Sequence, residues 1–243
     1  MRTTMLGVAA LVMLAACGGS DASEEGTAPS LASLDGEAAQ TAAPSNTAPA
    51  EEPAETISEP EGSLATEDMV LGSDDAPVTV TEYASVTCPH CATFHTQFLP
   101  VIKEELIDTG QVRFVFREFP TSPVQLSYIG SILARCSATE AGAPGYYTML
   151  SALYQRQSDW AYSAEPAVAL EEIFSQVGLD RAAMEQCLRR EAIIEKINAN
   201  VKAGQEAGVQ GTPTLLIDGE RFEFGRTPEE TVEKLRAIVA ERS

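Results

Sequence analysis

The feature that most constrains this chain is a pair of cysteines three positions apart, in the segment Cys88-Pro89-His90-Cys91. A β-like run precedes the pair and an amphipathic helical run follows it, which places both cysteines at a strand-to-helix junction. Proline suits the first helical position, so Cys88 is predicted to be the N-cap residue, where unpaired N–H groups and the helix dipole favour a negative charge. The segment therefore predicts a small disulfide ring that opens and closes, with a stabilised thiolate at Cys88.

The residues between the cysteines affect which redox state the pair prefers. Pro89 sets the helix start, and His90 adds a second cationic influence on the Cys88 thiolate. Each unit by which the pKa of Cys88 lies below the ambient pH stabilises the reduced form by about 1.4 kcal/mol. For a two-electron couple this equals roughly 30 mV towards the oxidising side. The motif is therefore typical of a disulfide that is easily given up.

The charge of the chain is distributed unevenly. The 243 residues carry a formal net charge of −20, but 12 of the 36 acidic residues fall between residues 18 and 68, where there is no basic residue. The remainder is only mildly acidic, and this argues against nucleic acid as a partner. The length allows one sizeable domain with a large core, plus appendages.

The N-terminus has the features of an export signal rather than of a folded segment. A positive region at Arg2 precedes an apolar run, residues 5–14, that is too short to span a bilayer as a helix. The run ends in Leu-Ala-Ala-Cys, which resembles the lipobox of bacterial lipoproteins, so residues 1–16 are predicted to be a lipoprotein signal peptide and Cys17 to be lipidated. An ordinary secretory cleavage site is the alternative. Both predict export to an oxidising compartment, where disulfides persist.

Residues 17–68 are predicted to form a disordered linker that begins with the lipidated cysteine. The stretch is rich in Ala, Pro, Glu, Ser and Thr and contains no aromatic residue, so it cannot bury enough apolar surface to order itself. A coil of about 50 residues has a mean span of roughly 40 Å, which suits a tether between a membrane and a domain. A spacer without a length requirement fits equally well. The folded domain is expected to cover residues 69–243.

The hydrophobic pattern of that domain predicts a mixed α/β structure. A strand before the cysteine pair, a helix kinked at Pro100 and a second strand are followed by a long helical stretch. A hairpin and a helix that starts at a capping box complete the order. The predicted bounds are strands at 78–83 and 112–116, helices within about 121–195, a hairpin of 215–217 and 221–224 around Asp218-Gly219, and a last helix from Thr227.

This order of motifs resembles the DsbA-like branch of the thioredoxin superfamily over residues 69–243. The resemblance rests on the Cys-Pro-His-Cys segment and on Thr212-Pro213, which precedes the hairpin. It implies an α/β fold, namely a thioredoxin fold with an inserted α-helical domain at about residues 121–195. It further implies that Pro213 is a cis proline packed against the redox pair. The backbone of Thr212 is then free to pair with an extended substrate strand near Cys88.

The resemblance also implies a role for each residue of the redox site. Cys88 is expected to be the exposed nucleophile that forms a mixed disulfide, and Cys91 the more buried resolving thiol. Pro89 and His90 are expected to tune the couple. Glu82 matches an acidic residue that family members bury beneath the active site, where it could relay the proton of Cys91. The alternative is an outward-facing glutamate on an alternating strand.

The remaining two cysteines lie on apolar helical faces. We expect Cys136 and Cys187 to form a second, structural disulfide within the helical insert, because an oxidising compartment favours pairing of nearby thiols. Buried free thiols are the alternative.

A zinc site at the redox motif is a further alternative that the sequence leaves open. Zinc requires four ligands, and only His90 and His95 could join the cysteine pair. Since no second Cys-x-x-Cys or histidine pair completes the set, we expect neither a metal nor a cofactor. His95 is interpreted as a residue of the helix face.

The sequence thus predicts a thiol–disulfide oxidoreductase that introduces disulfides into exported proteins. Its expected partners are reduced or unfolded exported proteins and, by resemblance, a DsbB-like quinone-linked membrane protein; it is expected to be a monomer without nucleic acid. We expect a lipid anchor at the periplasmic face of the cell envelope, with the outer membrane favoured over the inner by Gly18. One alternative is a disulfide isomerase or reductase, because thioredoxin-fold isomerases of the bacterial envelope often carry a threonine before the cis proline, as Thr212 does here. The other is a non-catalytic metal-binding or assembly lipoprotein.

Overall fold

The computed structural model describes residues 57–242. Its centre is a five-stranded mixed sheet with the order β1-β3-β2-β4-β5. β2 lies in the middle, parallel to β3 and antiparallel to β4. The strands are β1 (Met69–Leu71), β2 (Val78–Ala84), β3 (Val112–Glu118), β4 (Thr214–Ile217) and β5 (Glu220–Phe222).

The predicted strands and the hairpin are confirmed, and β1 was not predicted. The hairpin turn has positive φ angles at Asp218 (53°) and Gly219 (84°), the conformation that a two-residue turn between antiparallel strands requires. β1 is a short edge strand whose three residues pair with Phe116 to Phe114 of β3. Such a short run carries too little alternation to be recognised as a strand.

Helices cover the sheet and form a separate layer beside it. One helical run contains α1 (Pro89–Thr93), a π-helical turn (Phe94–Phe98), α2 (Leu99–Ile102) and a second π-helical turn (Lys103–Ile107). The other helices are α3 (Val124–Ala141), α4 (Ala143–Gln155), α5 (Gln157–Trp160), α6 (Pro166–Gln176), α7 (Arg181–Cys187), α8 (Glu191–Glu206) and α9 (Pro228–Arg242). No helix in this part of the chain is long and apolar enough to cross a bilayer.

The helical run after the cysteine pair differs from the predicted kinked α-helix. Pro100 lies in the first turn of α2, and a π-helical turn lies on either side of that short helix. A proline removes one backbone donor from the helical ladder, and π-helical turns are one way in which a helix accommodates such a break.

The start predicted for α3 was wrong in its detail. The segment Ser122-Pro123, followed by Gln125, has the pattern of a capped helix start, but Pro123 is the N-cap residue and makes no side-chain cap, and the Ser122–Pro123 bond is cis.

Two hydrophobic clusters meet at the centre of the molecule. One lies between the sheet and the helical run, and it includes Val80, Phe94 and Leu235 of α9. The other fills the helical insert and reaches the sheet at Ala84 and Phe116. Since Val80, Glu82 and Ala84 alternate on one face of β2, Glu82 lies where the two clusters meet.

The insert is fastened to the sheet by a buried ion pair. Arg135 of α3 contacts Glu118 at the end of β3, with Nε 2.6 Å from Oε1, and both side chains are almost fully buried. Tyr146 and Asn200 also donate hydrogen bonds to the Glu118 carboxylate, at 2.8 and 2.6 Å. Burial opposes the charged form of Glu118, but Arg135 outweighs it and lowers the pKa of Glu118. The network joins β3, α3, α4 and α8.

The predicted linker boundary at residue 68 was wrong, because residues 57–68 belong to the folded unit. Ala65 is fully buried, and its carbonyl oxygen accepts a 2.8 Å hydrogen bond from Arg135. Glu59 pairs with Arg190, which precedes α8. Polar, proline-containing composition did not reveal this segment, because its order comes from contacts with the insert rather than from its own core. The signal peptide, Cys17 and the rest of the predicted linker lie outside the described residues.

Candidate active site

The cysteine pair lies where the sequence predicts, between β2 and the helical run. Cys88 is the N-cap residue of α1, with φ −80° and ψ 122°, and Pro89 occupies the first turn. Extended backbone at the cap and helical backbone after it leave the first N–H groups of the helix unpaired and directed towards the Cys88 sulfur. Both predicted features, the cap position and the proline start, are confirmed.

Cys88 is less accessible than predicted. Only 9% of its surface is exposed, and Cys91 is fully buried. Both cysteines carry free thiols in this structure. The loop before β4 covers the first thiol, whereas Pro89 and His90 remain exposed. Little of the Cys88 surface is therefore open to an attacking group.

The two thiols differ strongly in acidity. A hydrogen bond from the Cys91 thiol is the main cause that lowers the pKa of Cys88 to about 5, against the opposing effect of burial. Backbone N–H groups of Cys91 and His90 add to the lowering, so the contribution of His90 comes from its backbone rather than from its exposed ring. For Cys91, burial raises the pKa well above its usual range, and Cys88 and Glu82 raise it further. The pair thus has one thiolate and one retained thiol at neutral pH.

The loop before β4 brings a backbone acceptor to the first cysteine. The Thr212–Pro213 bond is cis, as predicted. In its thiol form Cys88 donates a 3.3 Å hydrogen bond to the Thr212 carbonyl oxygen, across 124 positions of sequence. Pro213 directly precedes β4, and the residue before it, Thr212, is the one that contacts Cys88.

Glu82 points inward from β2, and its partner is a residue that the sequence analysis assigned to the helix face. The Glu82 side chain is fully buried, and its Oε2 lies 2.7 Å from Nε2 of His95. The His95 side chain is only 5% exposed. His95 thus lies on the helical run, as interpreted, but its side chain is buried against Glu82. His95 follows Cys91 by four residues, so the two share a helix face. Since Cys91 was expected to be buried, this spacing could have predicted that His95 is buried too.

The helical insert holds the loop between β2 and the cysteine pair. Gln157 donates hydrogen bonds to the carbonyl oxygens of Val86 (2.8 Å) and Cys88 (3.1 Å). Tyr162, which is 57% exposed, donates a 2.6 Å hydrogen bond to the Thr87 carbonyl oxygen. Neither residue was predicted to belong to the site, because a glutamine and a tyrosine some 70 positions away carry no local signal.

The structure gives no support to the zinc alternative. Among residues 57–242, no group of three or more histidine, cysteine or acidic residues is arranged to hold a metal ion. His95 contacts Glu82, and the ring of His90 is exposed at the helix start.

The second cysteine pair lies away from this site. Cys136 of α3 and Cys187 of α7 form a disulfide that links two helices of the insert, with 5.9 Å between their Cα atoms. Arg190 donates a hydrogen bond to the Cys136 sulfur at 3.2 Å.

Comparison with known proteins agrees with this geometry. The sequence model of a family described as Thioredoxin matches residues 64–239. A protein of Rickettsia typhi, provisionally named protein-disulfide oxidoreductase, is 34% identical over 157 residues, which cover 64% of this chain and 56% of that protein. Disulfide bond formation protein D of Bacillus subtilis is 27% identical over 172 residues, covering 68% of this chain and 75% of that protein. The chain thus spans little more than half the length of the Rickettsia relatives that it matches.

Two solved structures share the fold. Alpha-DsbA1 of Wolbachia pipientis has a TM-score of 0.65 and 24% identity, covering 72% of this chain and 92% of that protein. Oxidised BdbD of Bacillus subtilis has a TM-score of 0.63 and 21% identity, covering 76% of this chain and 98% of that protein. Because the family model matches residues 64–239, the chain belongs to the thioredoxin family, and it shares the fold of the DsbA-like structures.

Proposed function

We propose that this protein is a thiol–disulfide oxidoreductase that introduces disulfides into exported proteins through Cys88 and Cys91. The observation that carries the proposal is the opposite acidity of the two thiols. A pKa of about 5 at Cys88 stabilises the reduced form at pH 7 by about 3 kcal/mol, or roughly 60 mV. A pair whose reduced form is stabilised in this way is an oxidant towards ordinary protein thiols. The names of the relatives support the same chemistry.

The proposed reaction is a pair of exchange steps. A substrate thiolate attacks the Cys88 sulfur of the disulfide, the bond to Cys91 breaks, and Cys91 leaves with the bonding electrons and gains a proton. A second substrate thiolate then attacks the substrate sulfur of the mixed disulfide and releases Cys88 as a thiolate. The substrate loses two electrons, and the protein gains them. The low pKa of Cys88 makes it a good leaving group in the second step.

The loop at Pro213 is proposed to bind the substrate. Thr212 precedes the cis proline, and its carbonyl oxygen lies beside the Cys88 sulfur. An extended segment that paired with the Thr212 backbone would carry its own cysteine towards that sulfur. Main-chain hydrogen bonds do not depend on the side chains of the substrate, which suits a protein that acts on many different reduced or unfolded exported proteins.

The cellular setting is also part of the proposal. We propose that Cys17 carries lipid, that the linker tethers a monomeric domain to the periplasmic face of the envelope, and that the outer membrane is the anchoring site. Regeneration of the disulfide requires an electron acceptor, for which a DsbB-like quinone-linked membrane protein is proposed on the resemblance to DsbA. The N-terminal motif supports this setting.

The catalytic assignment is tested with cysteine variants of the mature protein. We expect Cys88→Ala to lose oxidation of a reduced test protein, and Cys91→Ala to accumulate a mixed disulfide through Cys88. The Cys136→Ser/Cys187→Ser variant is the matched control, because it removes the disulfide that lies away from the site. Full oxidation by Cys88→Ala would contradict the proposal.

The isomerase or reductase alternative is distinguished by the redox potential, and the threonine before the cis proline is the feature that favours it. Equilibration with glutathione should place an oxidase near the roughly −120 mV of DsbA, whereas a value near the roughly −270 mV of thioredoxin would indicate a reductase.

A further inference from the structure

A buried carboxylate beside the redox pair has one oxygen without a partner. His95 Nε2 lies 2.7 Å from Glu82 Oε2. Within residues 57–242, the other oxygen, Oε1, is buried and makes no hydrogen bond. Burying an unpaired carboxylate oxygen costs free energy that a purely structural residue would avoid. This oxygen is therefore a candidate for a proton acceptor or donor.

The position of the pair relates it to Cys91. Glu82 lies on the central strand and His95 lies four residues after Cys91 on the same helical run, so their hydrogen bond joins the strand that precedes the cysteine pair to the helical run that contains Cys91. The Glu82 charge acts on Cys91 and, after burial and Cys88, is the next cause that raises the pKa of Cys91.

Aromatic rings hold the imidazole in one orientation. The His95 ring stacks on Tyr154, with 4.6 Å between the ring centroids and an interplanar angle of 29°. Phe116 meets it edge-on at 5.4 Å. A ring packed on two sides cannot rotate freely, so Nε2 stays directed at Glu82 Oε2.

The other ionisable groups near the pair are neutral or compensated. Burial raises the pKa of Tyr154 and of Tyr147 well above the usual value, and their hydroxyl groups donate to the carbonyl oxygens of Ser85 and Met69. Tyr146 is likewise buried and neutral, and it donates to Glu118.

Charged groups farther along the sheet are also accounted for. The Glu118 charge is paired with Arg135. Among the groups packed around Glu82, this leaves His95 and the two cysteines as those whose charge is not compensated by another partner.

We propose that His95 is a positioning residue that stabilises the Glu82 carboxylate through Oε2 and thereby enables Oε1 to exchange a proton with the Cys91 sulfur. The inference rests on the proposed function and assigns a role within it. In the oxidised protein Glu82 holds the proton on Oε1. When a substrate thiolate breaks the Cys88–Cys91 bond, the leaving Cys91 thiolate takes that proton, and the new carboxylate is stabilised by His95 Nε2–H. The reverse step, attack of Cys91 on a mixed disulfide at Cys88, returns the proton to Oε1.

The reverse step gives a direct measurement. Reduced protein mixed with dithiobis-nitrobenzoate releases one coloured thiolate when Cys88 reacts and a second when Cys91 resolves the mixed disulfide. The rate of the second release is recorded against pH in the wild type and in His95→Phe, which keeps an aromatic ring on Tyr154 but removes the donor. We expect the midpoint of this pH dependence to be about one pH unit or more higher in His95→Phe than in the wild type, with about tenfold slower release below the midpoint. The reason is that a buried carboxyl without that donor keeps its proton to a higher pH.

Three variants make the result specific. His95→Gln keeps an N–H donor and should restore most of the wild-type profile. In Glu82→Gln, adding His95→Phe should cause no further shift, because the group on which His95 acts is absent. Gln97→Ala, an exposed residue on the same π-helical turn, is the matched control and should leave the profile unchanged. An unshifted midpoint in His95→Phe, or a shift that persists without Glu82, would overturn the inference.

A measurement on the unaltered protein covers the case in which His95→Phe does not fold. The ¹⁵N chemical shifts of the His95 ring should show Nε2 protonated in both the oxidised and the reduced protein. An unprotonated Nε2 would overturn the inference.

The proposed function fails separately from this inference. If Cys88→Ala released the first thiolate at the wild-type rate, the exchange chemistry itself would be wrong. If the first release required Cys88 but the midpoint of the second release did not move in His95→Phe, only the role of His95 would be contradicted.

Discussion

Cys88 and Cys91 are three residues apart in the chain but lie in opposite electrostatic environments. Cys88 is at the helix cap, where N–H groups and the second thiol lower its pKa, whereas Cys91 is enclosed by apolar side chains and faces a carboxylate. In the proposed reaction, the substrate therefore attacks Cys88 and Cys91 is the leaving group. The reactivity of the motif is therefore a property of two positions rather than of one cysteine.

The low pKa of Cys88 predicts a pH-dependent stability of the reduced protein. Folding lowers this pKa from about 9 to about 5, so the stabilisation is complete above the unfolded value and is lost as the pH falls through the folded value. Between pH 8 and pH 5, we expect the free energy of unfolding of the reduced protein to fall by about 1.4 kcal/mol per pH unit relative to the oxidised protein. Urea unfolding of both forms measures this difference.

Cys88→Ser is the control for that experiment, since it has no thiolate at the cap. The reduced variant should show no such slope. Equal slopes for the reduced and oxidised wild-type protein would contradict the assigned acidity of Cys88.

Among the elements, the insert contributes more than a cover for the sheet. α3 reaches the sheet through Arg135 and Glu118, and α5 supplies Gln157 to the backbone before the redox motif. The insert is in turn held together by the disulfide between α3 and α7. Its helices thus position the cysteine loop, while the thiol chemistry stays on the thioredoxin core.

The second disulfide is expected to act on stability and not on exchange. It closes a loop of 51 residues, and on the chain-entropy model its loss costs about 4 kcal/mol. We expect Cys136→Ser/Cys187→Ser to unfold at a lower urea concentration while it keeps the glutathione redox potential of the first pair. A potential that changed together with stability would show that the two pairs are coupled.

At the scale of the whole molecule, the folded unit begins before its first strand. Residues 57–68 satisfy two buried cations of the insert, since Arg135 donates to Ala65 and Arg190 pairs with Glu59. Removing this segment would leave both guanidinium groups with fewer partners in a dry environment, where an unpaired charge is costly.

A chain that begins at Met69 should therefore be less stable than one that begins at Ile57. We expect a lower midpoint temperature of thermal unfolding for the shorter chain, while the folded protein still performs the same two exchange steps. The matched control begins at Glu61, which removes Glu59 but keeps Ala65, and it should show an intermediate loss. Identical midpoints for all three chains would show that the segment adds no stability.

The amino-acid sequence alone determined the features whose causes are local. The alternation of β2, the proline after Cys88, the Asp218-Gly219 turn and the capping box at Thr227 each depend on residues within a few positions of one another. These signals predicted the order of the elements and, with the resemblance to DsbA-like proteins, the two cysteines and Pro213. Local propensity suffices where backbone geometry and nearby hydrogen bonds decide the structure.

Only the tertiary structure decided the partners of buried polar groups. Glu82 and His95 are 13 positions apart, Gln157 and Cys88 are 69 apart, and Arg190 and Glu59 are 131 apart. Each contact exists because a polar group that loses water must find a partner, and the chain topology decides which groups are close enough. Sequence spacing carries no record of such distances, which is why the burial of Cys88, the contact of His95 with Glu82 and the start of the folded unit were not predicted.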